Sequence, residues 1–165
     1  MKILNDNGND VRIAYMVSGN IAVRDSDIIE NINEIAYDKR DLIENLKLNR
    51  IPLKEVMDLK AKVRMMEAIK AAETLGIDRG KIYFLRLPFY ETGFMIKNPI
   101  TEKDINATIN IIEEINPEII IMPGEEDDPH GTHGKCIEII NKSLDKLNLK
   151  EEVDIWLYKG GGKSI

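Results

Sequence analysis

Residues 117–133 read PEIIIMPGEEDDPHGTH, in which a short apolar run leads into an acidic loop. The run from Ile119 to Met122 has strand length and is uniformly apolar. We therefore predict a strand at residues 118–122 that is central in its sheet and covered on both faces. A helix is predicted at residues 135–149, because apolar side chains recur there every three or four positions. This order is typical of a strand–loop–helix unit in an α/β fold.

The same reasoning extends to the rest of the chain. Further strands are predicted at residues 11–17, 81–87 and 153–158, and further helices at residues 25–49, 53–75 and 101–116. Strands that alternate with helices of this length indicate a Rossmann-like, three-layer αβα fold with a mostly parallel sheet. Because no internal repeat or linker interrupts the pattern, residues 1–165 are predicted to form a single domain.

The composition argues against several classes of function. The 165 residues carry 23 Lys and Arg against 29 Asp and Glu, a net charge of −6. This balance argues against nucleic-acid and anionic-membrane partners, which both need clustered cations. The one cysteine, Cys136, excludes an internal disulfide and a Cys-rich zinc site. No signal peptide and no apolar run of about 20 residues is present, so we expect a cytoplasmic location.

Both histidines of the chain, His130 and His133, lie in the loop after the third predicted strand. In the sequence they follow the four acidic residues at 125–128. In parallel sheets, ligands bind beyond the carboxyl ends of the strands, which is where this loop lies. Imidazole is a common metal ligand and acts as an acid or a base near neutral pH. The pattern favours a metal or acid–base site. The alternative is a solvated acidic turn that caps the next helix.

Two other strand ends carry polar side chains that would line the same crevice. Ser18 and Asn20 follow the first predicted strand and are candidates for substrate binding, although a plain turn explains them equally well. Tyr90 follows the second predicted strand and is a candidate for contact with a sugar. Packing of its own loop is the alternative.

Residues 128–133, DPHGTH, closely resemble the second metal motif of the LmbE-like (PIG-L type) zinc deacetylases. The resemblance covers nearly all of residues 11–159 and is closest to the branch often found fused to glucosamine-6-phosphate deaminase. The other matching segments are AYMVSGNIAV at 14–23, RMME at 64–67, LRLPFYETG at 85–93, KNP at 97–99 and WLY at 156–158.

The resemblance implies a role for each matching residue. His133 matches a histidine that ligates zinc, and His130 matches one that stabilises the oxyanion or assists the leaving amine. Asp128 matches an acid that orients an imidazole. Arg64 falls where family members have an arginine near the substrate. In the family's reaction zinc polarises an acetyl carbonyl, a carboxylate takes a proton from water, and the products are a free amino sugar and acetate.

One family motif is missing from this sequence. The motif His-Pro-Asp-Asp ends the family's first strand and supplies two zinc ligands and the general base, but no histidine precedes His130 here. The resemblance therefore implies a domain truncated at both ends, with Asp128 or Glu125 left to complete the metal site. Because the missing strand is central in the family's sheet, we expect one of three outcomes. A second copy or a companion chain fills its place, the sheet closes up, or the fold is marginally stable.

We therefore predict a zinc-dependent N-acetyl hydrolase that acts on an N-acetylated amino sugar, a small-molecule substrate. The alternative is a non-catalytic, truncated remnant that binds a sugar or a partner protein. A nucleotide- or phosphate-binding Rossmann-like protein is a third alternative. The GGGKS run at residues 160–164 does not support it, because the earlier glycine of a P-loop and the following helix are both missing.

Overall fold

The computed structural model describes residues 1–35, 40–124 and 130–158 of the chain. Its helices are α1 (Lys2–Asp6), α2 (Asp25–Glu30), α3 (Ile32–Ile35), α4 (Arg40–Lys47), α5 (Leu53–Thr74), α6 (Glu102–Ile115) and α7 (Thr132–Leu147). Its strands are β1 (Ile13–Tyr15), β2 (Ile82–Phe84), β3 (Ile119–Pro123) and β4 (Asp154–Tyr158). The α/β class is confirmed. None of the helices in this described part combines the length and apolar character that a membrane span needs.

The chain divides into two compact units. The first contains Met1–Arg86 and Gly93–Met95, and the second contains Leu87–Thr92 and Ile96–Ile165. In the first unit β1 pairs with β2, in the second β3 pairs with β4, and both pairs are parallel. Parallel pairing is thus confirmed, but the described strands form two two-stranded sheets instead of one larger sheet. Hydrophobic periodicity identifies a strand but not its neighbours, so the number of sheets cannot be read from it.

In the first unit, α5 and the helices before it enclose the core. The buried apolar residues of this core are Val23, Ile28, Ile32, Ile35, Leu46, Leu59 and Val63. The long helix α5 starts directly after Pro52, which has no N–H to leave unpaired, and is followed by Gly76 with φ 76°. Pro52 and Gly76 therefore flank the helix, and the predicted bounds, residues 53–75, are correct to one residue.

The single helix predicted at residues 25–49 is wrong, because the structure has α2, α3 and α4 there. At the end of α2, the side-chain amide and the backbone N–H of Asn31 both donate to the carbonyl of Asp27, at 2.8 and 3.2 Å. A side chain that competes for a helix carbonyl favours a helix end. The apolar spacing continues across the break and therefore conceals it.

The second unit is organised by α6 and α7. A capping box stands at the start of α6, as the sequence Thr-Glu-Lys-Asp at residues 101–104 predicts. The N–H and the hydroxyl of Thr101 donate to Asp104 Oδ2 at 2.8 and 2.7 Å. The hydroxyl of Ser143 on α7 donates to the carbonyl of Ile105 on α6 at 3.3 Å. Both Ser143 and Asp104 are fully buried, so α6 and α7 pack closely along these positions.

The prediction that β3 is covered on both faces is wrong for the described structure. Met122 is buried, but Ile119 and Ile121, on the opposite face, are 41% and 42% exposed. Opposite Ile121 in the register stands Trp156, which is also half exposed. An apolar run shows that both faces tolerate burial, not that the fold buries both.

The start of α2 gives a prediction about acid stability. The carboxylate of Asp27 accepts a hydrogen bond from the backbone N–H of Arg24 at 2.8 Å. It also forms an ion pair with the Arg24 guanidinium at 2.9 Å. The Arg24 guanidinium holds the pKa of Asp27 below its ordinary value of 3.8. A lowered folded-state pKa stabilises the protein above the unfolded pKa, and this contribution is lost as the pH falls through the folded one.

The variant Asp27→Asn keeps an acceptor for the Arg24 N–H but loses the charge. We expect its melting temperature to lie below that of the natural chain at pH 6, with a narrower gap at about pH 2, below the ordinary pKa of Asp27. Thermal melts between these pH values measure the gap. Asp41→Asn, which removes another first-turn acid at the start of α4, serves as the control. A gap for Asp27→Asn that does not change with pH would contradict the prediction.

Candidate active site

The loop after β1 places Ser18, Gly19 and Asn20 at the carboxyl end of that strand. Gly19 has φ 66°, a left-handed conformation that favours glycine, and it leads into a short 3-10 turn at Asn20–Ala22. Arg64 of α5 lies against the loop, because a Cβ built on Gly19 would be 3.5 Å from Arg64 Nε. The structure thus brings three of the predicted substrate-binding residues, Ser18, Asn20 and Arg64, to one place.

Asn20 is the most unusual polar residue of this loop. Its side chain is 1% exposed, and within the described structure neither Oδ1 nor Nδ2 has a hydrogen-bond partner. The Ser18 hydroxyl oxygen accepts only a long bond, 3.5 Å, from the Asn20 backbone N–H. A buried amide left unpaired costs about 1–3 kcal/mol for each group, so natural proteins rarely keep one without a purpose.

Arg64 combines loop packing with a surface charge. Its guanidinium donates to Glu67 Oε2 at 2.8 Å, one turn along α5, and both side chains are about half exposed. Such an exposed pair contributes little to stability. The guanidinium remains within reach of an anion from solvent, and its planar donors suit a carboxylate or a phosphate.

The carboxyl end of β2 carries a residue that sequence reasoning missed. Arg86 has φ 48°, and the three other described non-glycine residues with positive φ are all asparagines. The left-handed region costs an ordinary L-residue about 1–2 kcal/mol. The Arg86 side chain donates to Asp58 Oδ1 of α5 at 2.7 Å. The predicted strand at 81–87 includes Arg86 as an interior residue, and this is why its place at the strand end was not apparent.

Tyr90 belongs to the second unit, in the loop of residues 87–92. Its ring lies under the ammonium group of Lys97, with 4.4 Å from Nζ to the ring centroid, and meets the edge of Phe89. The side chain is 7% exposed. Packing of the loop therefore accounts for Tyr90 at least as well as contact with a sugar does.

The two histidines lie at the start of α7. Gly131, with φ 64°, turns the chain into the helix, and His133 is the second residue of its first turn. His133 is half buried and His130 is exposed. Across residues 1–35, 40–124 and 130–158, no three His, Cys, Asp or Glu side chains form a group that would hold a metal. Asp128 and Glu125 lie outside the described residues.

The predicted site residues are thus divided between the two units. Ser18, Asn20 and Arg64 lie together in the first, while Tyr90, His130 and His133 lie in the second. Cys136 follows His133 by three positions on α7 and is half buried.

Comparison with known proteins gives two matches. The family model PIG-L, described as GlcNAc-PI de-N-acetylase, matches residues 1–143. A glucosamine-6-phosphate deaminase-like protein of Bacteroides thetaiotaomicron is 35% identical over 176 residues, which cover 92% of this chain and 26% of the relative. The chain thus spans about a quarter of the length of that curated relative. No solved structure matches the chain.

Asp104 gives a prediction about the loop that carries Tyr90. Its buried carboxylate accepts hydrogen bonds from the N–H groups of Phe89 and Thr101, each at 2.8 Å. Asp104→Ala would leave the buried N–H of Phe89 and the part-buried N–H of Thr101 without this acceptor, and we expect it to lower the free energy of unfolding by about 3 kcal/mol. Urea denaturation measures the loss.

The control for this variant is Glu102→Ala, which removes a first-turn acid of α6 that pairs with Lys146 on the surface. That change is expected to cost less than about 1 kcal/mol. Equal losses for Glu102→Ala and Asp104→Ala would mean that Asp104 does not hold the loop.

Proposed function

Because the chain belongs to the PIG-L family, we propose that it is an N-acetyl hydrolase that removes the acetyl group from an N-acetylated amino sugar. In this reaction the oxygen of a water molecule bonds to the acetyl carbon and the C–N bond breaks. The nitrogen takes up a proton, and the products are acetate and a free amine. N-acetylglucosamine derivatives are the proposed substrates. The family description and the name of the relative both support an amino sugar.

The observation that carries the proposal is the position of His133. It stands in the first turn of α7, on the connection that follows the carboxyl end of β3, and is half buried. In parallel α/β units this end of a strand is where ligands bind. A half-buried imidazole there is desolvated enough to act on a substrate and open enough to reach it.

The described residues do not by themselves form a metal centre, since a catalytic zinc takes about three protein ligands. We propose that the cofactor is zinc and that His133 is one ligand, with Asp128 orienting an imidazole. Imidazole nitrogen is a donor that zinc prefers. The rest of the ligand set would come from outside the described residues.

His130 and the first unit have separate proposed tasks. His130 is exposed, so its imidazole can donate a hydrogen bond to the developing oxyanion or a proton to the leaving nitrogen. Arg64, with Ser18 and Asn20 beside it, would bind the sugar. The unpaired amide of Asn20 supports this task, because a sugar hydroxyl offers both the donor and the acceptor that it lacks.

The direct test replaces His133. The full chain, incubated with zinc, is assayed for acetate release from N-acetylglucosamine and its 6-phosphate, and zinc affinity is measured by competition with a chelator. Changing a group next to a metal ligand costs about 10–100-fold in affinity or activity, so we expect His133→Ala to lower both by at least about 100-fold.

The matched control is Cys136→Ser. It removes the one thiol of the chain, also on α7, and we expect it to leave the zinc affinity and the rate unchanged. An unchanged rate in His133→Ala would refute the proposed role. Absence of zinc binding and of acetate release in the natural chain would instead favour a sugar-binding module, which a sugar titration followed by NMR detects.

A further inference from the structure

We propose that Arg86 is a phosphate-binding residue at the carboxyl edge of the β1–β2 sheet and that Asp58 is its internal competitor. The proposed ligand is the phosphate group of a phosphorylated amino sugar, and in naming this substrate class the proposal rests on the proposed function. The residues of the proposed subsite, Arg86, Asp58 and Arg64, all lie in the first unit.

The backbone of Arg86 is the first observation. Three other described non-glycine residues, Asn49, Asn116 and Asn148, have a left-handed backbone. Asparagine is one of the residue types that tolerate this conformation best after glycine. At position 86 the chain uses arginine instead, with φ 48°. A side chain kept at a strained position indicates that the side chain itself is needed there.

The second observation concerns the charged side chains near Arg86. Its guanidinium meets Asp58 at 2.7 Å, and the two side chains are 37% and 42% exposed, so an anion in solvent can reach the pair. Arg64 stands in a similar arrangement, paired with Glu67 of the same helix, α5. The parallel register of β1 and β2 puts the loop that Arg64 contacts and the backbone of Arg86 at the same edge of the sheet.

The charge of the ligand follows from the competition with Asp58. A carboxylate carries one negative charge, whereas a phosphate ester carries about 1.5 to 2 at neutral pH and offers three acceptor oxygens. A phosphate can therefore displace Asp58 from the guanidinium, and a carboxylate such as acetate competes on equal terms at best. Since the chain has a net charge of −6, any attraction for phosphate has to be local.

A purely structural role for the pair makes a different prediction. If the ion pair only ties the end of β2 to α5, removal of either partner disturbs the same tether and changes phosphate binding in the same way. If Asp58 competes with phosphate for Arg86, the two removals act in opposite directions. This difference in sign is the basis of the test.

The experiment titrates the full chain with inorganic phosphate and follows the backbone amides by NMR. In Arg86→Asn the new residue tolerates the left-handed backbone, and we expect phosphate to bind at least about tenfold more weakly, as for a lost charge-assisted hydrogen bond. In Asp58→Asn we expect phosphate to bind severalfold more tightly. Arg12→Asn is the control, because Arg12 pairs with Asp10 at the amino end of β1.

Three more ligands distinguish the source of the phosphate. Glucosamine 6-phosphate is expected to bind more tightly than inorganic phosphate, glucosamine alone to show no dependence on Arg86, and acetate to bind more weakly than phosphate. The proposal is overturned if the natural chain does not bind phosphate, if Arg86→Asn binds it equally well, or if both variants shift the affinity in the same direction. The titration uses neither zinc nor hydrolysis, so its failure is distinct from failure of the deacetylase assay.

Discussion

The parallel pairing of β1 with β2 is the constraint on which the recognition side of the candidate site depends. Parallel strands bring their carboxyl ends to one edge. Here that edge receives the loop of Ser18 and Asn20 from one strand and Arg86 from the other. The helix α5 connects with both, since Arg64 lies against Gly19 and Asp58 pairs with Arg86. A local backbone rule thus brings together side chains that are far apart in sequence.

The ion pairs at this edge are better understood as positioning than as stabilisation. Arg64–Glu67 and Arg86–Asp58 are both substantially exposed, and such pairs typically contribute between 0 and about 1 kcal/mol. The left-handed backbone of Arg86 alone costs as much or more. The exposed ion pair with Asp58 therefore does not by itself offset the cost of the left-handed backbone at Arg86.

Much of this architecture follows from the sequence, and the exceptions have physical causes. Periodicity and punctuation locate α5 and α6, because Pro52 and the Thr101–Asp104 capping box act on the chain locally. The break at Asn31 is missed because one side-chain hydrogen bond decides it, without a change in hydrophobic spacing. The exposed face of β3 and the division into two sheets depend on neighbours that are distant in sequence. Arg86 is missed because its proposed role is argued from a dihedral angle, and arginine is not a residue type that signals a left-handed backbone.

Local rules fail in the first unit mainly at one edge. Asn20 buries an amide that has no hydrogen-bond partner among the described residues. Arg86 has a left-handed backbone, which the other described non-glycine positions with positive φ fill with asparagine. Both lie in the segments that follow the two strands of the same sheet, whereas the core around Ile28 and Val63 obeys the ordinary pattern of buried apolar residues. Sequences tend to break such rules where function requires it. Because the two exceptions follow strands of one sheet and differ in chemistry, an amide and a guanidinium, a polar ligand with both hydroxyl and anionic groups accounts for them together better than two unrelated defects do.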